Sequence, residues 1–145
     1  MALNMKKALK LIQKDLEKNW NSITFSYEQT GKDEIKVNAD VNLNAFDDDI
    51  TLVIKGTAGG GFWCRAVFDK IDKTPEVLDL VNSFNDDEIF FKAYVRDDGY
   101  LELANFFICY DEKVYGEYAS EFLIRLSELD ENQYMKQLSA LTRDE

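Results

Sequence analysis

Apolar residues recur along this chain with two different periods, and each change of period marks a new element. Over residues 3–18, Met5, Ala8, Leu9, Ile12 and Leu16 fall on one stripe with lysines opposite, which predicts an amphipathic helix. Alternation then takes over. Residues 22–30 place Ile23, Phe25 and Tyr27 at every second position, and TGKDE turns the chain. Residues 35–45 alternate most regularly, with Ile35, Val37, Ala39, Val41, Leu43 and Ala45 against polar neighbours; this predicts a strand with one buried and one wet face. Residues 47–49 make the next turn. ITLVIK at 50–55 and FWCRAVF at 62–68 read as a third and a fourth strand.

A second helix begins at Thr74. Threonine is a good N-cap, Pro75 suits the first helical position and Glu76 the first turn. Val77, Leu78, Val81 and Phe84 line one face, and Asn82, Asn85, Asp86 and Asp87 close it. Two more strands follow, IFFKAYVR at 89–96 and YLELANFFICY at 100–110. A two-residue loop would oppose Val95 to Glu102. A three-residue Asp97-Asp98-Gly99 loop with Gly99 left-handed opposes Val95 to Leu101 and Ala93 to Leu103, and the apolar match selects it. Ile89, Phe91, Ala93, Val95, Leu101, Leu103, Phe107 and Cys109 then form a core face. The other face carries Phe90, Tyr94, Phe106, Ile108 and Tyr110 around Lys92, Arg96 and Glu102. That is more apolar surface than water tolerates, so it implies either a cover within the chain or a contact with a partner or second copy. A long helix over 114–129 and a short amphipathic stretch from Tyr134 complete the chain.

The order is helix, four strands, helix, two strands, helix. Short connections make the strands antiparallel, so the expected fold is an α+β domain with an antiparallel sheet of five to six strands packed with helices. One domain suits 145 residues.

The stretch GTAGGGFW at 56–63 holds four of the seven glycines and invites comparison with a phosphate loop. Such a loop needs a helix after it, because the helix N-terminus binds the anion. An aromatic strand follows here, and both the GK[ST] ending and spaced GxGxxG are missing. The glycines read as a hairpin.

Charge narrows the function classes. The net charge is −11, and residues 1–20 hold five lysines against Asp15 and Glu17, a net +3, which leaves −14 on the other 125 residues. An acidic body repels phosphate backbones and anionic membranes, so neither nucleic acid nor a membrane is an expected partner. The basic first helix is expected to be a solvated face, to pair with its own body, or to meet an acidic partner. The start of the chain lacks the long apolar core of a signal peptide, and Cys64 and Cys109 sit in apolar runs, so a cytoplasmic protein with reduced, buried thiols is expected.

With no histidine, Ser-His and Cys-His pairs and the commonest metal ligand are excluded. The acidic runs at 47–49, 86–88 and 97–98 fall at turns, where aspartate bonds the backbone, and none has EF-hand spacing. No cofactor motif is present. A carboxylate-based or metal-assisted enzyme ranks last among the readings.

The second half, VNSFNDDEIFFKAYVRDDGYLELANFFICY followed by YGEYASEFLIRLSELDENQYMKQL, resembles the YbjN-like family of bacterial sensory transduction regulators. The resemblance rests on Asn82 and Asn85 closing a helix, a strand with Lys92, the DDG hairpin, an aromatic second strand and a long final helix. It implies a fold like type III secretion chaperones, with three strands before the middle helix where the periodicity here predicts four. It also implies a non-enzymatic, protein-binding or chaperone-like role, as a homodimer. A small acidic protein that neutralises a toxin is the alternative.

Overall fold

A computed structural model describes residues 2–42 and 49–143 of the chain. The elements run α1 (Met5–Asn19), β1 (Ser26–Gly31), β2 (Glu34–Asn42), β3 (Asp49–Thr57), β4 (Gly61–Lys70), α2 (Pro75–Asp87), β5 (Lys92–Val95), β6 (Tyr100–Ile108), α3 (Glu112–Ser127) and α4 (Gln133–Ala140), with a 3-10 turn between the last two. Leu43, Ala45, Asp47 and Asp48 of the expected third element and turn lie outside the described residues. The α+β class holds. Among the described residues the sheet has six antiparallel strands in the order β1-β2-β3-β4-β6-β5.

Alternation decides which face of the sheet is covered. Ile35, Val37, Ala39 and Val41 of β2, Ile50, Leu52 and Ile54 of β3, and Phe62, Cys64, Ala66 and Phe68 of β4 are all buried. They meet Met5, Ala8, Ile12 and Leu16 of α1, Val77, Val81 and Phe84 of α2, and Tyr115, Ala119, Phe122 and Leu126 of α3 in one core. The helices thus cover one face. The opposite parity is exposed or half-buried throughout β2 to β6, save Glu102.

Local signals act as expected. Thr74 Oγ1 accepts from the Val77 amide at 3.1 Å with Pro75 opening the helix. Gly99 has φ +91°, and β5 and β6 pair Val95 with Leu101 and Ala93 with Leu103, the register of the three-residue loop. The apolar stripe of α1 docks on the core, so its lysines point away from it. Of them only Lys7 reaches an acid among the described residues, Glu112 at 3.8 Å, and an exposed pair of this kind contributes little.

The glycine stretch is a hairpin between β3 and β4, and contacts set Gly56 and Gly60. Gly60 has φ +100°, and a Cβ there would lie 2.5 Å from the Cys109 carbonyl oxygen. The Cys109 amide donates to the Gly60 carbonyl at 2.6 Å, the Leu3 amide to the Ala58 carbonyl at 3.0 Å, and the Ala58 amide to the Asp33 carbonyl at 2.8 Å. A Cβ on Gly56 would come within 2.8 Å of the Tyr115 ring, whose hydroxyl donates to the Thr57 carbonyl at 2.8 Å. The loop is stitched to four other segments, which is a structural use of its glycines.

Two strand boundaries and one helix-face residue differ from the periodicity. The first strand begins at Ser26, not at residue 22, because the chain turns after α1 with the Ile23 amide donating to the Trp20 carbonyl at 3.1 Å. Leu78 is 44% exposed and outside the α2 contact. The fifth strand begins at Lys92, not at residue 89. There the Glu88 carboxylate accepts from the amides of Phe90 and Phe91 at 2.6 and 3.2 Å and bends the backbone out of the sheet.

Candidate protein-contact surface

The open face of β4, β6 and β5 is a grid set by register. One row is Gly61 and Ile108, the next Trp63 and Phe106, then Arg65, Ala104 and Lys92, then Val67, Glu102 and Tyr94. Apolar and charged rows therefore separate along the strands. At one end the Trp63 and Phe106 rings lie 5.0 Å apart, tilted by 53°. Phe106 is 51% exposed and Ile108 69%.

The five residues expected to share this face do not stay together. Phe106 and Ile108 do. Tyr110 follows the end of β6 and is exposed. Tyr94 is exposed but lies opposite Glu102, four residues from Phe106, or roughly 13 Å along the strand. Phe90 is misassigned by the alternation. Because Glu88 bends the chain, the Phe90 ring turns to the helical side, 5.7 Å from Phe107, with the Arg125 guanidinium 5.3 Å over it. The same bend exposes Ile89, expected in the core, almost completely. Trp63 was the residue missed. The signal was available: Phe62, Cys64, Ala66 and Phe68 point inward, so Trp63, Arg65 and Val67 must point out.

Glu102 sits in the charged part of the grid and is buried, with the Arg96 guanidinium 3.5 Å from Oε1 and no hydrogen-bond partner for Oε2. Burial raises its carboxyl above the ordinary carboxylate range, and the nearby Arg65 partly opposes this. A carboxyl that holds its proton more tightly folded than unfolded stabilises the fold at low pH, and that contribution is lost as pH rises through the folded value. Glu102→Gln is therefore expected to melt with the wild type near pH 4 and above it at pH 7. A lower melting temperature for the variant at pH 7 would show the ion pair to dominate.

Elsewhere the chemistry is quiet. Cys64 and Cys109 are free and buried; burial pushes the Cys109 thiol up to about 12 and Cys64 well above its usual value. Among the described residues no three of Cys, Asp and Glu are grouped to hold a metal ion. Two of the acids at turns bond locally: Asp98 meets Arg96 at 2.8 Å, and Glu88 caps the amides already described. Among the described residues no helix is long and apolar enough to cross a membrane.

Compared with protein-family models, with curated proteins and with solved structures, the chain shows no match.

Proposed function

We propose that this chain is a non-enzymatic protein-binding adaptor, a chaperone-like regulator working in the cytoplasm, whose contact surface is the apolar end of the open sheet face. The observation that carries the reading is the cluster of Trp63, Phe106 and Ile108 on a face that no helix of the described chain covers. Exposed aromatic and aliphatic clusters on a rigid sheet are typical contact cores. The resemblance to the YbjN-like family supports the same reading through the DDG hairpin and the long helix after it. The four strands before α2 exceed the three of that family's order.

Capture of partners from native extract with the wild type and with Phe106→Asp, at low and high salt, tests it. A partner held by the wild type at both salts and lost by the variant supports an apolar contact. Both proteins must melt alike, which the exposure of Phe106 favours. A partner retained by Phe106→Asp sinks the assignment, and one lost by the wild type at high salt favours a charged surface instead.

A further inference from the structure

The two strands at this end of the sheet differ in length. β5 pairs with β6 only from residue 101 to 104, whereas β6 continues to Ile108. Beyond residue 104 the outer edge of β6 has no strand beside it among the described residues.

The direction of the main chain there follows from neighbouring bonds. The Ala93 amide and carbonyl both bond the Asn85 side chain, at 2.7 and 2.9 Å, so they point away from β6. Lys92 and Tyr94 are then the residues that bond β6, through Ala104 and Glu102. Even-numbered residues of β6 thus face the β5 side. The odd ones face β4, and the Cys109 amide, which donates to Gly60, agrees. Phe106 and Ile108 consequently present their amides and carbonyls along the open edge.

Folded proteins usually blunt such edges. This chain does so one strand away: Asn85 covers Ala93, and Glu88 takes the amides of Phe90 and Phe91. Among the described residues the β6 edge has no such cover. Beside it lies a cleft of about 380 Å³ whose walls include Ile89, Phe90, Asn105 and Phe106. Asn105 donates to the Phe90 carbonyl, while its buried Oδ1 has no donor.

We infer that residues 105–108 of β6 take up a short extended segment of a partner protein as an added strand, in line with β5 and antiparallel to β6. This rests on the protein-contact reading above and names its mode. Main-chain bonds to Phe106 and Ile108 supply affinity, and alternate apolar side chains of the segment lie against Phe106 and Ile108. The occupant's length is bounded. Four residues of edge span roughly 13 Å, so a strand added there buries far less than the ~800 Å² per partner of a stable protein interface, and Lys92 closes one end. That geometry fits a linear segment and not the long β6 of a second copy. Its charge is bounded too. A segment running in the direction of β5 brings its C-terminal end to the exposed pair Arg65 and Lys92, which share a row with Ala104. An acidic residue at that end is favoured.

Random heptapeptides displayed on phage and selected on the full chain provide the probe. The expected peptides have apolar residues at alternate positions and an acid at or near the C-terminus. In synthetic versions, N-methylation of the amides facing β6 weakens binding about tenfold or more, and methylation of the intervening amides does not. Bound peptide slows hydrogen exchange at Phe106 and Ile108. Three results overturn the inference: no peptide is selected, N-methylation is tolerated at every position, or exchange at Phe106 and Ile108 slows with protein concentration alone, which would place a second copy there. Peptides that tolerate methylation yet lose binding to Phe106→Asp overturn strand addition alone and leave the side-chain surface standing. A partner captured from extract that is indifferent to Phe106→Asp overturns that surface itself.

Discussion

Gly60→Ala is expected to destabilise the fold by about 3 kcal/mol or more, and Gly99→Ala by only about 1 kcal/mol. Both glycines have positive φ, +100° and +91°, so both substitutions carry the strain of a side chain in that region. They differ in space. A Cβ on Gly99 meets nothing within 4 Å, while one on Gly60 lies 2.5 Å from the Cys109 carbonyl oxygen. That oxygen is backbone, held by the Cys109 amide bond to Gly60, and cannot swing aside as a side-chain tip would. Relief requires the hairpin to part from the end of β6. Urea denaturation of the two variants isolates the packing part as their difference, and thermal melting should place Gly60→Ala about 10 °C below the wild type. Equal losses would mean that the hairpin shifts freely and that only backbone strain matters.

Asn85→Ala is expected to cost about 2–4 kcal/mol, as large as a core truncation, although it removes one half-buried polar side chain. The Asn85 amide imitates a strand: it donates to the Ala93 carbonyl at 2.9 Å and accepts from its amide at 2.7 Å. Ala93 is buried, so alanine at 85 leaves two main-chain groups without partners or water. It also opens the β5 edge, and the variant should aggregate on warming. Asn82→Ala, at an exposed site three residues earlier, is the control and should change stability by less than about 0.5 kcal/mol. Hydrogen exchange at the Ala93 amide reports the mechanism directly: it should become fast in Asn85→Ala before the rest of the sheet does. Unchanged protection at Ala93 would show that another group takes the place of Asn85.

These two sites mark how much could be read in advance. The glycine stretch was legible as a hairpin, because the residues after it suit a strand and no helix follows. Which glycine is irreplaceable was not, since the Cys109 carbonyl comes from the far end of β6. Asn82 and Asn85 both read as the close of a helix. Only the return of β5 beneath α2 gives Asn85 a strand to bond and leaves Asn82 in water.

The candidate contact surface divides in the same way. Phe106 and Ile108 were placed on the outer face by alternation along β6, and the structure keeps them there. Phe90 and Ile89 were placed by extending that alternation back across residues 89–91. It fails because one side chain, Glu88, bonds two following amides and breaks the period locally. Trp63 joined the surface only through pairing with Phe106, a contact between strands separated by a whole helix and another strand.

By itself, then, the sequence determined what depends on neighbours in the chain: the α+β class, the caps of α2, the register of the DDG hairpin and the inward parity of β2 and β4. Hydrophobic periodicity and turn geometry act over a few residues, so they can be read there. The tertiary structure alone decided the strand order, the shortness of β5 against β6, the burial of Glu102 and the open edge at Phe106 and Ile108. Each of these depends on which distant segments come to lie side by side, and the alternation of a strand records that it has a buried face without recording its neighbours.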